Sequence, residues 1–142
     1  VVVAWYGLYD FATEDAQAAE PSGCIGQPWN HGGVGSFESF WLGEQVSESA
    51  LTEVADLTGY VGSPEGGTAS TAKESTVWLF EHGDADCILP YRQTLEMAAA
   101  LQSAGATVDV SIEAGYVHAD PRFNEQPLAA ALEFLAEVAP VS

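Results

Sequence analysis

The residues that could do chemistry fall in two short stretches. "EHGDADCILPYRQ", Glu81 to Gln93, leaves an apolar run through His-Gly, offers Asp84 and Asp86 beside Cys87, and turns at Pro90. "EAGYVHADPRF", Glu113 to Phe123, leaves a second apolar run and carries His118. An aspartate beside a histidine fixes the imidazole tautomer and stabilises its protonated form. A general base that activates a nucleophile requires both. Asp86 and His118 are therefore the candidate acid and base, against the plainer reading of a helix cap and an exposed loop histidine. Asp84 reads as a turn-former, because aspartate side chains bond to nearby backbone in turns. His82, at a strand end before Gly83, reads as structural and hydrogen-bonded within the turn. Asp10 reads as a residue stabilising the loop after the first strand.

The elements that must position these residues follow from periodicity. Val1–Trp5 is a continuous apolar run, as expected of a strand buried on both faces. A chain that opens directly inside a core strand suggests a fold that starts upstream. Glu14–Glu20 reads as a short helix. Residues 21–43 are rich in Gly, Pro, Asn and aromatics and read as a long irregular loop of the kind that carries function. Ser47–Thr58 reads as a helix, with Leu51, Val54 and Leu57 spaced i, i+3, i+6, and "GSPEGGTAS" from Gly62 as another loop. Thr76–Phe80 is a second buried strand. Pro90–Ala104 is a helix with Tyr91, Leu95, Ala98 and Leu101 on one face, capped by Gly105. Thr107–Ile112 alternates as a strand. Pro127–Val138 is a last helix striped by Leu128, Ala131, Leu132, Leu135 and Val138.

This alternation gives an α/β architecture: a parallel sheet with helices on both faces, in a single partial domain over residues 1–142 with a loop insertion at about 21–43. Functional residues of such sheets sit just past the C-terminal ends of the strands. Asp86 and His118 occupy those positions on strands expected to be neighbours. Three strands leave two open edges, one of which must be covered or continued.

"HGDADCILPYRQ" followed by "LQSAGATVDVSIEAGYVH" resembles the C-terminal half of an α/β-hydrolase esterase or lipase, of the small carboxylesterase branch. That family runs in the chain order Ser, Asp/Glu, His. The resemblance implies that Asp86, the second aspartate of His-Gly-x-x-Asp, is the triad acid. It implies that His118, closing Gly-x-x-His from Gly115, is the base. "VVVAWYGLYDF" is similar to the strand and turn after the family's nucleophile helix. The resemblance spans essentially the whole chain, most weakly over 21–75. No G-x-S-x-G elbow is present: "GVGSF" at Gly33 and "GSPEG" at Gly62 have the wrong spacing and no preceding strand. "HGGVG" at His31 imitates the family's oxyanion-hole motif but lies downstream of its place, and a motif outside its structural context carries little weight. The nucleophile is therefore expected outside this chain, in an N-terminal half or a partner chain. The chain alone is expected to be inactive, because an activated serine and positioned donors supply most of the catalysis.

Composition narrows the partners. Asp and Glu number 21 against 3 Lys and Arg, for a net charge of −18 and a pI near 4.1. Nucleic acid is excluded as an expected partner, since phosphate binding needs a basic patch. Such a surface suits high salt, where self-repulsion is screened; a compositional bias of the genome explains it equally simply. No apolar run approaches the roughly 20 residues of a membrane span, and no signal peptide is visible. Hydrophobic residues make up 47% of the chain, enough for a core.

Cys24 and Cys87 fit no zinc spacing. They are two buried thiols or one disulfide, the latter favoured if the protein is exported. A bond between them would tie the long loop to the acid turn. His31, His82 and His118 with an acid match no ligand spacing, so no metal and no cofactor are expected. Trp29, Phe37, Phe40 and Trp41 either line a substrate pocket or pack the loop onto the body.

Three functions remain. The first is a carboxylic ester hydrolase acting on a small-molecule ester with a Ser-Asp-His triad. The second is a serine peptidase of the prolyl-oligopeptidase kind. The third is a non-catalytic half-domain that needs a partner chain.

Overall fold

The computed structural model describes residues 1–20, 22–61 and 76–139. The loop read from Gly62, with its "GSPEG", lies outside them. The described elements, in chain order, are β1 (Val2–Trp5), α1 (Glu14–Ala18), α2 (Phe37–Leu42), α3 (Leu57–Tyr60), β2 (Val77–Gly83), α4 (Arg92–Ser103), β3 (Thr107–Glu113), a 3-10 turn (Pro121–Asn124) and α5 (Gln126–Val138).

The three strands form one sheet in the order β1-β2-β3, parallel throughout. Phe80 sits opposite Ala4 on one side and Val110 on the other. Its ring is completely buried and packs with Tyr9 and with Met97, Ala98 and Leu101 of α4. Side chains alternate across a strand, so Trp5 leaves the face opposite Ala4, and its ring meets Phe123 of the 3-10 turn at 5.8 Å. The expected α/β class and parallel sheet are present.

Local chemistry moves several boundaries. β2 runs on past Phe80 through Glu81 and His82, which pair with Ser111 and Ile112 despite being polar. Glu81 is buried there because Trp5 Nε1 donates to its carboxylate. The 21–43 segment contains α2. Ser36 Oγ accepts from Ser39 N at 3.1 Å at its start, and Gly43, at φ 83°, ends it in the left-handed conformation glycine favours. The expected Ser47–Thr58 helix does not form: residues 46–55 are turns, and α3 starts only at Leu57, capped by Asp56. Ser49 Oγ accepts from Leu51 N, and Thr52 Oγ1 donates to Val46 O at 2.6 Å. Such side-chain bonds compete with helical ones, and Leu51, Val54 and Leu57 end up exposed. In α4 the buried face includes Gln93 and Thr94, while Leu95 is exposed. In α5, Leu132 and Val138 of the expected stripe are exposed.

Gln93 ties β1's loop to α4. Its Oε1 accepts from Tyr9 N and Asp10 N at 2.9 and 2.7 Å, and its Nε2 donates to Asp10 O and Gln17 Oε1, each at 2.9 Å. Asp10 is a turn residue as expected: its carboxylate accepts from Ala12 N and Thr13 Oγ1, each at 2.8 Å.

Candidate active site

The parallel pairing of β2 and β3 brings their C-terminal ends together, and backbone bonds then join the two following turns. Asp84 N donates to Glu113 O and Ala85 N to Tyr116 O, each at 3.1 Å. Asp84 Oδ1 accepts from Gly115 N at 2.6 Å, so the turn-former also anchors the histidine loop. Gly83 permits this closeness. A Cβ there would lie 2.1 Å from Tyr116 O, so any side chain would push the loop away.

His118 Nδ1 lies 2.8 Å from Asp86 Oδ2. Asp86 has a fully buried side chain, and His118 is 25% exposed. Every acceptor position of the Asp86 carboxylate is used. Oδ1 accepts from Ile88 N and Leu89 N at 2.8 and 2.9 Å. Oδ2 faces His118 and also His82 Nε2, at 3.2 Å. Burial by itself raises a carboxyl pKa. Here the bonds from His82, the Leu89 backbone and His118 outweigh it and hold Asp86 below the usual carboxylate range. An ionised Asp86 makes His118 Nδ1 the donor and leaves Nε2 as the acceptor.

His82, expected to be structural, is completely buried and backs the acid. Its Nε2 hydrogen points between Asp86 Oδ2 and Leu89 O (3.1 Å), and its Nδ1 accepts from Thr94 Oγ1 at 2.7 Å. The His118 loop has its own clamp. Arg122 donates through Nε and Nη2 to the two oxygens of Asp120, at 2.9 and 2.7 Å. Nη2 also donates to Gly115 O at 2.7 Å, and the guanidinium lies 3.9 Å from the centre of the Tyr116 ring. The Arg122 side chain first, and its backbone N–H second, hold the Asp120 carboxyl well below its ordinary range.

Tyr6 was not singled out by sequence. It follows β1 at φ 39°, a conformation that costs energy for a non-glycine residue. Its ring lies edge-on to His118 at 4.9 Å and to Phe123 at 5.2 Å. Ala119, at φ 51°, makes the turn directly after His118.

Cys24 and Cys87 form a disulfide with Cα atoms 5.1 Å apart. It joins the 21–43 segment to the acid turn, beside the backbone bond from Trp29 N to Cys87 O at 2.8 Å. Phe40 and Trp41 line an open apolar groove of about 310 Å³ with Leu8, Phe11 and Phe37. Trp29 is not in that lining; it stacks on Phe37 at 6.1 Å. Neither Asp86 nor His118 lines the groove. Ser36 of "GVGSF" is the buried cap of α2, and His31 of "HGGVG" is buried against Glu38.

A parallel α/β sheet with an acid and a histidine at adjacent strand ends is the C-terminal architecture of an α/β-hydrolase, a superfamily of serine hydrolases. Residues 32–141 match the prolyl oligopeptidase family, and the chain belongs to that family. Among solved structures it is similar to a protein described as "Truncated form of carbohydrate esterase from gut microbiota", with a TM-score of 0.64 at 19% identity. The match covers 96% of this chain and 41% of that one, so this chain spans less than half of that structure's length. No curated protein sequence matches it.

Proposed function

We propose that this chain supplies the acid and the base of a Ser-Asp-His triad in a carboxylic ester hydrolase. The observation that carries this reading is the 2.8 Å contact of His118 Nδ1 with a fully buried, four-fold hydrogen-bonded Asp86. A serine outside these 142 residues attacks the ester carbonyl. His118 Nε2 takes the serine proton and later returns it to the leaving alcohol. Asp86 keeps Nδ1 protonated and stabilises the imidazolium between those steps. His82 and Thr94 hold Asp86 from behind, and Tyr6 holds the His118 ring from its edge. The esterase named above supports this substrate class. The aromatic groove of Phe40 and Trp41 offers an apolar wall to an acyl or alcohol group.

The family match favours a second reading, a serine peptidase using the same two residues. In the full-length protein, His118→Ala or Asp86→Asn lowers kcat on a nitrophenyl ester by about 10⁴-fold; near wild-type turnover in either variant sinks the triad assignment. Comparing nitrophenyl esters with proline anilides separates the two substrates. Turnover confined to the anilides makes the protein a peptidase.

A further inference from the structure

A second histidine–carboxylate cluster lies away from Asp86 and His118, and it is poorly satisfied. Glu14 of α1 is completely buried, and neither oxygen of its carboxyl has a hydrogen-bond partner among the described residues. Oε2 of Glu38, buried in α2, is equally without one. Between the two lies the buried ring of His31. Its Nε2 is 2.6 Å from Ile88 O, so Nε2 carries a hydrogen and donates it. Nδ1 then faces Glu38 Oε1 at 3.0 Å and Glu14 Oε1 at 3.5 Å. One ligand atom from each of the three residues lies within 4.8 Å of the other two.

A proton on His31 Nδ1 balances only one of the two carboxylates. Glu14 is then left as a bare buried charge or must take up a proton itself. A bare carboxylate with no donor on either oxygen is costly to bury. A protonated Glu14 would in turn need an acceptor for its hydrogen, and none is bonded to it among the described residues. A divalent cation resolves all of this together. Its charge equals that of two carboxylates, and the neutral imidazole offers it the Nδ1 lone pair. A ligand histidine whose far N–H is bonded to a backbone carbonyl is the usual outer-shell arrangement.

The two distances from His31 Nδ1, 3.0 Å to Glu38 Oε1 and 3.5 Å to Glu14 Oε1, also suit a metal. Bonds of about 2.0–2.2 Å place ligand atoms about 2.9 to 3.5 Å apart in octahedral or tetrahedral geometry. The backbone is already fixed for this. Asp15 accepts from His31 N and Gly32 N at 2.7 and 2.8 Å.

We propose that Glu14, His31 and Glu38 bind one divalent transition-metal ion, zinc being the best match to one imidazole and two carboxylates. The ion is structural. It joins α1, α2 and the His31 turn to Ile88, whose N–H is bonded to Asp86, so it steadies the acid turn from outside.

The test uses the purified protein stripped with a chelator, dialysed against zinc alone and assayed for bound metal. One zinc per chain is expected, with a stabilising shift in Tm. Cobalt in its place should give d–d absorption without the intense bands of a thiolate ligand. Glu14→Gln, which keeps the shape of the side chain, should weaken zinc binding by about 100-fold or more, as should His31→Ala; near-ultraviolet circular dichroism checks that both variants are folded. The cobalt spectrum of the unaltered protein decides the matter even if a variant fails to fold. The proposal is overturned if no zinc is retained, if cobalt gives only the spectrum of the aqueous ion, or if folded Glu14→Gln and His31→Ala bind zinc as before. The last result would mean adventitious binding to surface carboxylates.

Discussion

Asp86 and Glu14 are both buried carboxylates beside a histidine, and the two regions treat them oppositely. Asp86 receives two backbone N–H groups and two imidazoles, and its pKa falls. Glu14 has no donor among the described residues, and burial first, then three acidic neighbours, raise its pKa to about 9. Burial is common to both, so burial does not decide the charge state. The count of donors aimed at the oxygens does. A negative charge is stable at the acid turn because the chain reverses there with Ile88 and Leu89 N–H pointing inward. Among the described residues no backbone N–H between α1 and α2 is bonded to Glu14, and its charged form goes unstabilised there.

The sharpest way to break this contrast is to neutralise each carboxylate in turn. Asp86→Asn places an amide among groups that all donate, and should cost about 3 kcal/mol of stability. Glu14→Gln, measured in chelator, should cost little or raise Tm, because it replaces a carboxyl that no donor stabilises with a neutral side chain of the same shape. Equal losses in urea titrations of the two variants would erase the distinction. The first variant also carries a pH signature. The folded pKa of Asp86 lies below its unfolded value of about 3.8, so its contribution is complete above that pH. It is lost as the pH falls through the folded value. Asp86→Asn should therefore flatten the acid limb of the stability curve below about pH 4. Gly83→Ala comes next. The new methyl meets Tyr116 O, so stability should fall by about 1–3 kcal/mol. In the full-length protein kcat should drop as the His118 loop shifts; an unchanged Tm and kcat would show that the two turns are not held in register. The smallest effect belongs to Arg122→Ala. The Arg122 side chain is nearly half exposed, so solvent screens the pair and the shift in a denaturant midpoint should be the smallest of the series. A larger loss would make the clamp, and not Gly83, the main positioning device.

Much of the fold could be read from the chain, because buried parallel strands announce themselves as apolar runs and α4 follows a turn signal at Pro90. The pairing of Asp86 with His118 follows from where parallel strands end. Other features were hidden for identifiable reasons. β2 continues through Glu81 and His82, which a hydropathy reading ends at Phe80, because their polar atoms are satisfied by Trp5 and Thr94. α2 sits inside a Gly- and aromatic-rich stretch, although Ser36 and Gly43 bracket it as caps. The spacing of Leu51, Val54 and Leu57 imitated a helix, while Ser49 and Thr52 took up the backbone groups a helix would need. The cluster of Glu14, His31 and Glu38 joins residues from three separate pieces of chain, and no ligand spacing in sequence reveals it. Tyr6 stood out by neither type nor spacing; only its positive φ and its ring against His118 mark it.

The disulfide between residues 63 apart has a further consequence for how this protein endures damage. A protease that cuts anywhere between Cys24 and Cys87 produces two polypeptides but still one molecule, with Asp86 and the 21–43 segment held on the same covalent body. Such a nick would be invisible on a denaturing gel until a reductant is added. The chain's covalent connectivity is thus a closed ring with two tails, and its integrity at the acid turn does not depend on an unbroken backbone.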